Sequence, residues 1–163
     1  MRILLVLAFF LTLAACGRSD DEVGGFTNDW TGNEIRIDAL ADPKVEGVTC
    51  HLTSFDRSFL DRIGKGNWFE DPSNASIACR QTGPIKIGDI SLAKSGEEVF
   101  NQRQSLVFKK IAVRRVYDEA HDTLVYVVYS RQIVNGSAKM ALSTVSLYGQ
   151  NPVWEKGRPT ARN

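Results

Sequence analysis

Hydrophobic and polar positions divide the chain into segments of different period. After Arg2, residues 3–13 form an almost unbroken apolar run. It is long enough for the core of a signal peptide and too short to span a bilayer as a helix of ~20 residues. Residues 17–32 are dominated by Gly, Asp, Ser and Asn and read as a solvated tether, within which Phe26 and Trp30 are the aromatic exceptions. Residues 34–40 then alternate, with Ile35, Ile37 and Ala39 on one side, which predicts a half-buried strand. Asp42-Pro43 ends it, because Pro lacks the ladder donor.

Val48-Thr49-Cys50-His51-Leu52 and Ser76-Ile77-Ala78-Cys79 read as strands. Between them, Phe55, Phe59, Leu60 and Ile63 recur at helical spacing, so residues 54–63 are expected to form a short helix stopped by Gly64-Lys65-Gly66. Residues 67–74 are a loop carrying Trp68 and Phe69. Gly83-Pro84 makes a turn before a short extended piece, Ile85-Lys86-Ile87, and residues 96–104 fit strand or helix equally. Residues 106–117 are the longest strand candidate, with Leu106 and Phe108 on one face and then Ile111 and Val113. That change of parity predicts a bulge or bend. Residues 124–129 are a nearly continuous β-branched and aromatic run, expected to pair with the preceding strand and to be buried on both faces. Asn135-Gly136 is a two-residue hairpin signal leading to a last strand within 140–147, and the tail from 149 to 163 is expected to be extended or disordered. The fold class is therefore α+β, mostly antiparallel β, with one or two short helices. A single domain at 34–148 follows a signal peptide at 1–15 and a tether at 16–33.

Leu13-Ala14-Ala15-Cys16 closes the apolar run and resembles the lipobox of bacterial lipoproteins, a leucine and two small residues before a cysteine. The resemblance implies cleavage before Cys16 and acylation of its thiol. The alternative is an ordinary secretory signal whose cleavage site happens to precede a cysteine. Two or three acyl chains would hold a soluble domain at a membrane, since one chain anchors only marginally. Gly17 stands where inner-membrane lipoproteins of enterobacteria typically carry Asp, which by resemblance favours the outer membrane. The expected location is thus the periplasmic face of the bacterial membrane, where Phe26 and Trp30 either begin the fold or lie near the lipid interface.

That compartment changes the reading of the cysteines. With Cys16 assigned to lipid, Cys50 and Cys79 remain as an even pair in an oxidising environment, each within a strand. A structural disulfide is expected; a redox or metal-binding pair is the weaker reading, because no C-x-x-C is present and the chain has two histidines. Basic and acidic residues nearly cancel, 20 against 19, which argues against wholesale nucleic-acid binding.

Ordered blocks then resemble the CreA family of bacterial exported proteins. They are Asp42-Pro43-Lys44-Val45-Glu46-Gly47-Val48-Thr49-Cys50, Ser76-Ile77-Ala78-Cys79-Arg80-Gln81-Thr82-Gly83-Pro84-Ile85, Gly96-Glu97-Glu98-Val99-Phe100, Ser105-Leu106-Val107-Phe108-Lys109, and Tyr117-Asp118 before Leu124-Val125-Tyr126 and Tyr129-Ser130. The resemblance implies export to the periplasm and two cysteines as family features, and it supplies no biochemical activity.

Motifs for the G-x-S-x-G elbow, zinc proteases, P-loops and Rossmann folds are absent. His51 reads as a strand-face residue and His121 as part of an exposed turn. Glu97 and Glu98 are adjacent and should point to opposite sides of a strand, so they do not form an acid/base pair. A cleft with convergent polar groups around His51, or around Tyr126 and Tyr129, would favour an enzyme. Arg103, Lys109, Lys110, Arg114 and Arg115 are read as solvated charge guarding sheet edges, or as a basic strip facing anionic lipid or an acidic partner; strand parity splits them between faces. Trp68 and Phe69 either stack on a sugar or a partner's pocket or fold back onto the core. The expectation is a non-enzymatic envelope lipoprotein without cofactor or metal, acting through protein or envelope contacts. The alternative is a carrier or sensor of a small apolar ligand.

Overall fold

The computed structural model describes residues 21–66, 74–100, 110–133 and 136–159. Its strands are β1 (Glu22–Thr27), β2 (Glu34–Ala41), β3 (Val45–Asp56), β4 (Ala75–Ile87), β5 (Glu97–Val99), β6 (Ile111–Asp118), β7 (Thr123–Ser130), β8 (Met140–Ser146) and β9 (Val153–Trp154), with helix α1 (Phe59–Lys65) between β3 and β4. They form a five-stranded sheet in the order β1-β2-β3-β4-β9 and a four-stranded sheet in the order β5-β6-β7-β8. Every pairing is antiparallel except that of β9, which runs parallel to β4. This is the expected α+β class with antiparallel β predominant.

Period-two alternation puts one face of each sheet inward. Val48, Cys50 and Leu52 of β3, Ile77 and Cys79 of β4, Val113 of β6, Leu124, Tyr126 and Val128 of β7 and Val145 of β8 join in one buried cluster, so the two sheets close on a shared core. Cys50 and Cys79 are directly opposite in the β3–β4 ladder and are joined by a disulfide. Gly47 interrupts that ladder with φ +78. A Cβ there would lie 2.3 Å from the Pro84 carbonyl oxygen, so only glycine lets β4 swing across at Gly83-Pro84 without breaking. β4 is accordingly one strand where the sequence suggested a strand, a turn and an extended piece.

Several local expectations change. β3 continues to Asp56, and the helix begins at Phe59 with Ser58 as its N-cap. The helix turns Asp61 inward, whereas Phe59, Leu60 and Ile63, whose spacing predicted it, are exposed. In β2 the inward residues are Asp38 and Leu40, and Ile35, Ile37 and Ala39 lie half-buried on the outside. Alternation separates two faces but does not say which is inner; Arg36, 3.0 Å from Asp38, makes the acidic face tolerable inside. β7 alternates too: Val125, Val127 and Tyr129 are half-buried on an outer face instead of enclosed on both sides. Glu22–Thr27, within the expected tether, is an edge strand. The tail returns to the domain through β9, where Trp154 packs edge-on against Tyr117 at 5.3 Å between ring centroids. β7 and β8 join through a connection longer than a two-residue hairpin, since their last ladder pair is Tyr129 with Met140. Leu106 and Phe108, and with them the predicted bulge, lie outside the described residues.

Candidate functional site

Register aligns Glu97 of β5 with Arg115 of β6, Arg115 with Tyr126 of β7, and Tyr126 with Ser143 of β8. These four side chains make a polar row across the inner side of the second sheet, between apolar rows containing Val113 and Val128 on one side and Tyr117, Leu124 and Val145 on the other. Both ends of the row reach the first sheet. Ser143 Oγ accepts the Cys79 backbone N–H at 2.8 Å, so a hydroxyl satisfies an amide that faces away from β3. Further along, Asp42 enters from the β2–β3 turn, where Pro43 stops the strand and the Lys44 N–H closes onto Asp42 Oδ1 at 2.9 Å.

Asp42 is the acceptor on which the row converges. Arg115 Nη1 donates to both of its carboxylate oxygens, and the Tyr126 hydroxyl donates to Oδ2 at 2.7 Å. Nη2 of Arg115 donates to Glu97, whose other oxygen pairs with Lys44 Nζ at 2.5 Å and which also accepts the Ser91 N–H at 2.8 Å. Asp42 and Arg115 have side-chain exposures of 0% and 1%, so their charges depend on each other and not on water. Gly96 makes the approach possible: it has φ +60, and a Cβ would sit 2.1 Å from the Arg115 carbonyl oxygen.

Electrostatics fix the protonation of this network. Burial, reinforced by Asp42, pushes the Tyr126 phenol far above its ordinary range, so it acts as a neutral donor. Burial alone would lower Arg115, but Asp42 outweighs it and the guanidinium is held more firmly protonated. Burial likewise pushes Glu97 up, and its bonds with Lys44, the Ser91 amide and Arg115 reverse that, leaving its carboxyl below the usual range. The result is two anions and two cations linking two sheets, a mechanical joint whose central groups do not meet solvent.

The sequence-predicted residues separate. Arg115 turns inward, while Arg114 lies half-buried on the outer face of β6 and donates to the Ser95 carbonyl at 2.9 Å. Lys110 precedes β6, its carbonyl accepting the Arg131 N–H at 2.8 Å. Cys16, Trp68, Phe69, Arg103 and Lys109 lie outside the described residues. The adjacent carboxylates point apart as expected, Glu97 toward Arg115 and Glu98 toward Arg131. His51 is exposed on β3, and exposed His121 sits 2.7 Å from Asp118. Tyr126 faces inward and Tyr129 outward, so those two do not converge. Asp42 and Glu97 were missed as partners of Arg115, and Lys44 as the partner of Glu97; an Asp-Pro turn and an arginine inside a strongly apolar strand were the available signals.

The match to the family model described as CreA protein covers residues 23–150, which takes in both sheets up to β8. The chain belongs to the CreA family. It is 42% identical over 116 residues to Protein CreA of Escherichia coli (strain K12), an alignment covering 69% of this chain and 72% of that protein. The same figures hold for Protein CreA of Escherichia coli O157:H7. No solved structure matches. Four of the five blocks of the CreA resemblance contribute to the row or its contacts: Asp42 and Lys44 in the first, Cys79 in the second, Glu97 in the third, Tyr126 in the last, while Ser105–Lys109 lies outside the described residues.

Proposed function

We propose that this CreA family protein is a non-enzymatic envelope lipoprotein that acts by contact with another envelope component, most directly a protein. The observation that carries the reading is the distribution of side-chain chemistry. Asp42, Arg115 and Tyr126 are locked into the buried joint, while apolar groups stand on the outer face of the β6–β8 sheet. There Val127 faces Leu142, and Tyr129 faces Met140, in register. Met140 and Leu142 are about two-thirds exposed, an arrangement suited to a protein interface with an apolar centre. The lipobox around Cys16 supports the location.

The test is cross-linking in living cells with Cys16 intact and a photoreactive residue at Leu142. A specific protein captured at near-stoichiometric yield, and lost with Met140→Asp, is expected. Cys16→Ala should release the protein from the membrane fraction. Recovery of the protein alone refutes the contact, and unchanged fractionation of Cys16→Ala refutes the anchor.

A further inference from the structure

A second apolar surface lies at the other side of the molecule. Phe26 of β1 pairs with Ile35 of β2, and Ile35 with Phe55 of β3, forming a row on the outer face of the first sheet. The turn after β1 carries Trp30, which is 95% exposed, and next to that turn α1 presents Phe59, Leu60 and Ile63. Turn and helix are fastened together: Ser58, the helix N-cap, donates through Oγ to the Thr31 carbonyl at 2.5 Å, and its N–H donates to Asn33 Oδ1 at 2.9 Å. Asp29 stiffens the turn by accepting from the Thr31 hydroxyl at 2.6 Å and the Asn33 amide nitrogen at 2.7 Å. Trp30 is therefore held outward on an ordered turn beside a helix whose polar side faces in.

Resting on the lipoprotein reading above, we propose that Phe26, Trp30, Phe59, Leu60 and Ile63 form a bilayer-contacting edge that seats the domain at the headgroup boundary beside its own anchor. What selects lipid as the occupant is chain length. Residues 17–21 alone separate Cys16 from the first residue of β1. At 3.3–3.6 Å per residue, that stretch holds the start of β1 within about 20 Å of an acylated Cys16. β1 is the edge strand of its sheet, and the element on the short leash carries Phe26 and leads directly into the Trp30 turn. Tryptophan and phenylalanine suit this depth, because an aromatic ring settles at the boundary between headgroups and acyl chains. The β6–β8 outer face, on the opposite sheet, is left turned away from the lipid.

The full-length acylated protein is reconstituted into phosphatidylethanolamine/phosphatidylglycerol vesicles, and the Trp30 contribution is taken as the difference between wild type and Trp30→Phe. With brominated acyl chains the Trp30 emission is expected to be blue-shifted and to lose most of its intensity, while aqueous acrylamide quenches it severalfold less than in detergent-free unfolded protein. Co-flotation with vesicles but unshifted, acrylamide-accessible and bromine-insensitive Trp30 emission overturns the edge and leaves the anchor standing. Absence of co-flotation overturns the anchor, and the edge with it. A benzophenone at Leu60 in living cells should give lipid adducts; a single protein adduct instead assigns this surface to a protein partner and overturns the proposal.

Discussion

Removing Asp42 tests whether the buried joint holds the two sheets together. Asp42→Ala strips Arg115, at 1% exposure, of both Nη1 acceptors, leaves the Tyr126 hydroxyl without its partner and frees the Lys44 amide. Breaking a buried pair by deleting one partner costs about 3–5 kcal/mol. Glu97, about a fifth exposed, still meets Arg115 and moderates the loss, which places the expected destabilisation near 3–4 kcal/mol. In reversible urea unfolding with the disulfide intact, that corresponds to a midpoint lowered by about 2 M for a slope of about 1.5–2 kcal/mol/M. The double variant Asp42→Ala/Arg115→Met removes the stranded cation as well, so its cost should fall short of the sum of the singles by about 2 kcal/mol. A single-variant loss below about 1 kcal/mol, the scale of an exposed pair, or strict additivity in the cycle would refute the joint.

Replacing both Cys50 and Cys79 with Ser opens a loop closed at a sequence separation of 29 and should lower stability by about 3–4 kcal/mol in the same assay. Gly96→Ala forces a side chain into positive φ and onto the Arg115 carbonyl, for an expected loss of about 2–3 kcal/mol, checked by thermal melting against Gly64→Ala, where a Cβ meets nothing. The pH dependence follows from Asp61, which Lys65 first and then Arg57 hold down at about 2 from an ordinary 3.8. A depressed carboxyl stabilises the fold fully above its unfolded value and loses that contribution as the pH falls through the folded one, so stability should decline between about pH 4 and pH 2. Asp61→Asn should flatten that decline in acid titration followed by circular dichroism.

Strand identity was legible wherever β-branched and aromatic residues are dense, as in β6 and β7, and so was the pairing of the two cysteines. Orientation was legible less often. Ile35, Ile37 and Ala39 form the more apolar side of β2 and yet lie outside, because Asp38 brings its own counter-charge in Arg36. The row Phe59, Leu60 and Ile63 has helical spacing without being a core face, because Asp61 and its cationic partners take the inward side. The joint was hidden for a related reason: Asp42 and Arg115 lie 73 positions apart, and nothing local to either marks the other. Adjacent carboxylates were readable since strand geometry alone separates Glu97 from Glu98.

Cys50 and Cys79 both have zero exposure, and the amide of one is clasped by Ser143 from the facing sheet. Thiol–disulfide exchange needs an attacking sulfur to reach the bridge, so exchange on the closed sandwich must wait for the sheets to part. The bond is then made before or during closure, while β3 and β4 are still an open hairpin, and afterwards it is sealed from the redox traffic of its surroundings. With small thiol in such excess that attack outpaces reclosing, its reduction would tick at the rate of sandwich opening, making the buried bridge a chemical clock for that motion.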